Sequence, residues 1–340
     1  MTEAVDAVAA ATRERLEHEA DAIVGRPTDE GITLALLVQQ HGEVVLERYG
    51  VRPANLFETD AVAITADTPL ISWSVAKSIT HAALGILVGD GRIDPLDPAP
   101  VPEWRGTEKQ AITLLDLLEM RSGLAFVEDY VDGETSDVID MLFGSGAKDH
   151  AAYAAAKPLL HPPGTVWSYS SGTTNIVTRI LGDLVVGDPD AAPGEREAAM
   201  RAFLDQRLFG PVGMPDADPR FDEAGNWVGS SYLYAPARQF VRFGELYLRD
   251  GVVGDERILP EGWVDHGRTV VARDPETGRD YGRHWWIWPD QPGSLAGHGY
   301  EGQYVMVLPG HDAVVVHLGK TDATVRDRLV ERLRRLIEVL

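Results

Sequence analysis

Two runs rich in apolar and β-branched residues, 33–39 and 44–49, flank Gln40, His41 and Gly42, a pattern that predicts a β-hairpin. Residues 68–73 form an extended run leading into Ser74. Beyond it Val75, Ile79, Ala82, Ala83, Ile86 and Leu87 recur at helical spacing until Gly89 and Gly91 end the run, so Ser74 stands at a helix start. From 94 to 280 the pattern is mostly helical, with helices expected at 112–120, 176–186, 195–208 and 236–248 and connections rich in Gly, Pro and Asp. Strands return at 285–288, 303–308 and 313–318, the last two separated by a Pro309-Gly310 turn, and an amphipathic helix over 323–340 closes the chain. Residues 1–24 read as a further amphipathic surface helix.

Strands at both ends with helices between them predict an α/β (α+β) fold: one antiparallel sheet assembled from the two termini, flanked by terminal helices, with a helical subdomain inserted. The expected division is a discontinuous sheet domain, 1–93 with 281–340, and an inserted, mainly helical subdomain, 94–280. A cleft between the two is where a site is expected.

Composition narrows the chemistry. The 340 residues contain no Cys, which excludes disulfides, thiolate metal sites and a cysteine nucleophile. The net charge of -22 argues against nucleic acid or an anionic membrane as partner. Lysine is scarce, standing only at Lys77, Lys109, Lys148, Lys157 and Lys320, so a lysine inside a catalytic pattern carries more weight than usual. No window reaches the roughly 18 uninterrupted apolar residues of a membrane span, and residues 1–24 carry charges throughout, without the basic and apolar regions of an export signal. The expectation is a cytoplasmic protein.

Ser74-Val75-Ala76-Lys77 is an S-x-x-K pattern. On a helix, residues three apart share a face, so the lysine amine can reach the serine hydroxyl. A serine hydroxyl is a weak nucleophile until a neighbouring base takes its proton, and a lysine serves as that base only where burial lowers its pKa. The bland alternative is a helix cap followed by a surface lysine. Ser145-Gly146-Ala147-Lys148 matches the same pattern, but in a polar, glycine-rich loop with no amphipathic helix after it. Tyr169-Ser170-Ser171 follows Pro162, Pro163 and Gly164 and precedes a helix; Tyr169 reads either as a proton relay in a cleft or as a core tyrosine beside a helix cap. Gly297-His298-Gly299-Tyr300-Glu301-Gly302 satisfies a dinucleotide fingerprint only formally, because a strand follows it rather than a helix. As a glycine-rich strand edge it would let a substrate approach the backbone, and His298 is either part of that edge or a surface histidine. No G-x-S-x-G elbow occurs, His18-Glu19 lacks the second histidine of a zinc protease, and Lys320-Thr321-Asp322 reads as a strand-end loop.

Taken together, Ser74-Val75-Ala76-Lys77, the 112–118 stretch with Ser122-Gly123-Leu124, Pro163-Gly164 with Tyr169-Ser170-Ser171, and Gly297-His298-Gly299 before two strands resemble the serine β-lactamase and penicillin-binding protein superfamily. The resemblance is closest to the branch of class C β-lactamases, family VIII carboxylesterases and 6-aminohexanoate-dimer hydrolases. It implies the β-lactamase/transpeptidase-like fold. Glu128-Asp129-Tyr130, Ser231-Tyr232-Leu233-Tyr234 and the short Gly302-Gln303 link look like the aminohexanoate-dimer subgroup. Carried onto this chain, the family roles are nucleophile for Ser74, general base for Lys77, proton relay for Tyr169 and substrate contact for Tyr130. Ser171, His298, Gly299 and Tyr300 are the further candidates for substrate and oxyanion contact. Two departures stand out: Tyr169-Ser170-Ser171 replaces Tyr-x-Asn, and His298 with its glycines replaces Lys-Thr-Gly, which removes groups that hold a β-lactam's amide and carboxylate.

The expected function is therefore hydrolysis of a small ester or linear amide through an acyl-enzyme on Ser74, by a monomer or homodimer calling for no metal or cofactor. The alternatives are a β-lactamase or D-amino-acid peptidase, and a non-catalytic sensor that keeps the fold.

Overall fold

A computed structural model describes residues 2–54, 60–129, 136–188 and 190–340, with the backbone alone for 2–9. The chain opens with helix α1 (Thr2–Val24), then the hairpin of strands β1 (Ile32–Gln40) and β2 (Glu43–Tyr49). His41 and Gly42 turn it with φ of 51° and 83°, and two left-handed residues give a turn whose twist matches that of the paired strands. The C-terminal part supplies β3 (Leu295–Gly299), β4 (Gln303–Leu308) and β5 (Ala313–Lys320). All five form one antiparallel sheet in the order β3-β4-β5-β1-β2, so the two ends of the chain meet where Leu37 pairs with Val316.

Successive strand residues point to opposite faces, and the apolar positions of this sheet occupy both. On one face Ala35, Leu37, Val305, Val314 and Val316 pack into the core that contains helix α2 (Val75–Gly89). On the other, Leu36, Val38, Met306 and Val315 meet Leu16 and Ile23 of α1 and, from the closing helix, Leu329, Leu333 and Leu336. The sheet is thus the middle of three layers. The intervening segment carries α3 (Leu114–Leu118), α4 (Asp137–Phe143), α5 (His150–Ala156), α6 (Ser171–Val186), α7 (Pro193–Leu204), α8 (Gly210–Val212), α9 (Ala237–Leu248) and α10 (Trp263–Arg268), with α11 (Arg326–Ile337) last. The mixed α/β architecture predicted from the pattern is the one observed. Among the described residues no helix is long and apolar enough to cross a membrane.

Two local expectations change. The helix expected over 112–120 shortens to α3, because Thr113 and Asp116 close a capping box at one end and Met120 turns left-handed at the other. The strand expected at 285–288 is absent; Trp286 alone bridges Ala296. The sheet's true edge is β3, whose sequence Leu-Ala-Gly-His-Gly has too few β-branched residues to announce a strand.

A second, small sheet matters for position. Pro69–Ile71 pairs with Leu233–Pro236, and the Ser72 N–H donates to Leu233 O at 2.8 Å. This fixes the entry into α2 against the inserted segment.

Candidate active site

Ser74 is the N-cap residue of α2, with φ -64° and ψ -3°, and its hydroxyl makes no capping bond. The residue before it, Trp73, has φ 43°, a conformation a bulky side chain seldom adopts. Its ring is held on both sides, edge-on to Tyr300 at 5.7 Å and tilted against Tyr232 at 6.0 Å, and its Nε1–H donates to Glu301 at 3.3 Å. A backbone outlier held this firmly beside a serine is a common feature of functional sites.

Lys77 lies one helical turn on and is only 2% exposed. Its Nζ is 2.9 Å from Ser74 Oγ, 2.9 Å from Ser171 Oγ and 3.0 Å from the Ser230 carbonyl oxygen. A surface lysine beside a simple cap is therefore not what the chain builds. As an ammonium, Lys77 donates to all three oxygens. As a free amine it donates two protons to Ser171 and Ser230 and turns its lone pair to the Ser74 hydroxyl. Burial lowers the pKa of this amine to about 8, while the negative charge of Glu128 opposes the shift.

Glu128 completes the group, and spacing alone did not single it out. Its two carboxylate oxygens accept from the Ser171 hydroxyl at 2.5 Å and the Ser171 N–H at 2.7 Å. Burial raises its pKa, against the pull of Lys77 and of the Ser171 bonds. The chain of side chains therefore runs Ser74, Lys77, Ser171, Glu128. Ser171 is the first residue of α6, directly after the Ser170 cap whose side chain accepts from Thr173 N, and this geometry aims it at Lys77. The only sequence signal for Glu128 was its place in the Glu128-Asp129-Tyr130 stretch; the physical one is that a buried lysine needs a nearby carboxylate.

Tyr169 stands on the other side of Lys77, whose Nζ is 4.8 Å from its ring centroid. Trp286 and Tyr281 wall the ring at 5.6 and 5.9 Å. Burial, then the charge of Glu128, push the phenol pKa up, and a hydrogen bond with Ser74 works the other way. The phenol thus keeps its proton near neutral pH.

Strand β3 forms the remaining wall. A Cβ on Gly299 would stand 2.5 Å from Ser72 O, so that glycine is needed for the strand to lie against the start of α2, while one on Gly297 would stand 3.2 Å from a Val75 methyl, a tight approach. Tyr300 follows at the rim, 38% exposed.

Ser74, Lys77, Tyr169, Ser171, Gly299 and Tyr300 thus gather at one end of the sheet, while Tyr130 lies outside the described residues. Two of the expected roles change. Ser171 is fully buried, and its hydroxyl is engaged by Lys77 and Glu128, so it faces the base rather than a substrate. His298 sits between Gly297 and Gly299 on β3, and the period of two turns it to the opposite face. There it stacks on Trp286 at 5.5 Å and meets the edges of Tyr304 and Trp288 at 4.9 and 6.0 Å. Lys320, of the K-T-D pattern, is an exposed residue beside Glu301 at 3.7 Å.

The family profile described as Beta-lactamase matches residues 20–339. A 6-aminohexanoate-dimer hydrolase from Paenarthrobacter ureafaciens is 26% identical over 309 residues, covering 85% of this chain and 73% of that protein. Among solved structures, a Bacillus anthracis protein provisionally described as a 6-aminohexanoate-dimer hydrolase superposes with a TM-score of 0.72 at 23% identity, over 92% of this chain and 81% of its own. A family VIII carboxylesterase superposes with a TM-score of 0.69 at 15% identity, over 96% and 97%.

Proposed function

The chain belongs to the beta-lactamase family of hydrolases, and from that premise we propose that it cleaves small esters or linear amides through an acyl-enzyme on Ser74. The observation that carries this reading is the buried Lys77 amine, 2.9 Å from the Ser74 hydroxyl and brought by burial to a pKa of about 8. At that value a useful fraction is free base near neutral pH, which is what a general base requires.

In the proposed sequence, Ser74 Oγ attacks the substrate carbonyl carbon while its proton passes to Lys77 Nζ. The negative charge that develops on the carbonyl oxygen is met by the Ser74 N–H at the start of α2 and by the Tyr300 N–H just past the end of β3. Collapse of the intermediate breaks the bond to the leaving oxygen or nitrogen, which takes the phenolic proton of Tyr169. The Lys77 ammonium then restores that proton. Water repeats the cycle in reverse roles, releasing the acid and freeing Ser74. Glu128, through Ser171, holds Lys77 in place and balances its charge when protonated.

Ester and amide are favoured over β-lactam because Ser171, which stands where class C enzymes have asparagine, has its hydroxyl engaged inside the base network. The test is direct. A fluorophosphonate should label one serine, p-nitrophenyl esters should turn over with a burst, and Ser74→Ala should lose both. A stable acyl adduct that never turns over would favour the sensor reading instead.

A further inference from the structure

The turn that follows β3 is held in an unusual way. Its three successive carbonyls each accept from a group outside the turn: Tyr300 O from Gln303 Nε2 at 3.0 Å, Glu301 O from Thr321 N at 2.8 Å, and Gly302 O from His317 Nδ1 at 2.8 Å. Burial, with the charge of Arg26 beside it, lowers the His317 pKa to about 3, so its ring is neutral, and the nitrogen facing a carbonyl is the one that carries the proton.

Gln303 does more than hold one carbonyl. It is 2% exposed. Its Nε2 also donates to Gly319 O at 2.7 Å, and its Oε1 accepts from Gly319 N at 2.9 Å. The backbone pairing of β4 with β5 runs from Leu308 opposite Ala313 to Tyr304 opposite His317 and stops there. The carboxamide takes over at that point, pairing with both sides of a β5 residue as a strand backbone would. Both its N–H bonds and its carbonyl are used, so no apolar or purely accepting side chain of the same size can replace it. On the other side of the turn, Gly299 is pressed against Ser72 O, and Trp73 donates to Glu301. The peptide between Gly299 and Tyr300 is therefore pinned from both ends, one pin coming from the residues next to Ser74.

We propose that Gln303 is a positioning residue for the oxyanion site: by tying the Tyr300 carbonyl to β5, it holds the Tyr300 N–H at the place where a tetrahedral intermediate on Ser74 puts its negative oxygen. This rests on the serine hydrolase reading above. It assigns Gln303 no contact with substrate. Loss of the carboxamide leaves Ser74, Lys77 and Tyr169 in place but lets the second donor drift, and a misplacement of about 1 Å costs on the order of 10²-fold.

The experiment compares wild type, Gln303→Met and Gln303→Asn on p-nitrophenyl butyrate, with fluorophosphonate inactivation followed in parallel. The Met variant should lose roughly 10- to 100-fold in kcat with KM within about twofold, since one oxyanion donor is worth about 10²- to 10³-fold. Inactivation should slow by the same factor, because phosphonylation develops negative charge on the same oxygen. The pH at which activity rises should stay put, because Lys77 is untouched. The Asn variant keeps a carboxamide on a shorter stem and should fall between the two; it also carries the test if the Met variant does not fold. A kcat within about threefold of wild type with only the melting temperature lowered would overturn the proposal, as would a raised KM with kcat retained. Undiminished activity in Ser74→Ala would instead remove the hydrolase premise itself.

Discussion

At Ser74 a lysine three residues on is buried beneath the helix it belongs to, with three oxygens around its amine. At Ser145 the same spacing gives a turn on the surface. Ser145 Oγ donates to Asp140 at 2.6 Å, Ser145 N donates to the same carboxylate at 2.9 Å, and Lys148 projects outward. The two stretches share the S-x-x-K spacing and differ in their surroundings. What separates them is where the lysine goes: Lys77 is buried, and desolvation lowers its pKa to about 8, whereas Lys148 stands exposed. A pattern of residues becomes a catalytic pair only when the fold removes water from one of them.

The largest effect expected follows from that contrast. Ser74→Ala and Lys77→Ala should each reduce ester hydrolysis by about 10³-fold or more, and the double variant should be little worse than either, because members of one catalytic unit fail together. Ser145→Ala and Lys148→Ala should leave kcat/KM within about twofold. Initial rates on a p-nitrophenyl ester decide it, and comparable losses at both sites would erase the distinction drawn between them.

A smaller effect tests the proposed role of Lys77 as a base. Only the free amine can take the Ser74 proton, so kcat/KM should rise with pH through a midpoint near the Lys77 value of about 8. The negative charge of Glu128 raises that value. Glu128→Gln keeps an acceptor for Ser171 and removes the charge, so the midpoint should move to lower pH. A pH profile that stays fixed, or moves upward, would show that Glu128 does not act on the base through its charge.

Much of this site was legible in the sequence, for identifiable reasons. Ser74, Lys77 and Tyr169 occupy helix starts or the residues just before them, and helix starts are marked by changes in periodicity that a single chain displays. That one antiparallel sheet draws on both ends of the chain followed from the strand patterns there. Glu128 was not legible as a partner of Lys77, because its contact with Ser171 at the start of α6 spans 43 residues. The misplaced strand at 285–288 has the reverse cause. Its run of Trp and Ile reads as a strand, yet these residues pack as aromatic filling, while the edge itself is drawn from glycines that only the close approach to α2 requires.

Specificity is the next effect in size. With the Ser171 hydroxyl engaged by Lys77 and Glu128, nothing at that position is offered to the side-chain amide of a β-lactam. Short-chain p-nitrophenyl esters should exceed nitrocefin by at least roughly tenfold in kcat/KM, about 1.4 kcal/mol in transition-state binding. Faster nitrocefin turnover would mean that other groups in the cleft supply what Ser171 does not.

The smallest effect on rate is expected one residue from the site. His298 lies between two glycines that touch the start of α2, yet its ring is on the far face, among Trp286, Trp288 and Tyr304. Its Nε2 is buried without a hydrogen-bond partner among the described residues, and burial, with Arg279 and Arg326 nearby, drives its pKa well below the usual histidine range. An unpaired buried nitrogen costs about 1–3 kcal/mol relative to one that is satisfied. His298→Leu replaces it with an apolar side chain of similar bulk, removing that cost while losing some ring packing. The net expectation is a melting temperature unchanged or raised, with kcat/KM within about twofold of wild type. Gly299→Ala, its neighbour on the other face, should instead damage activity, because the new Cβ would stand 2.5 Å from Ser72 O beside the nucleophile. If His298→Leu cost as much activity as Gly299→Ala, the strand would have to present that histidine to the cleft, and the assignment of faces along β3 would be overturned.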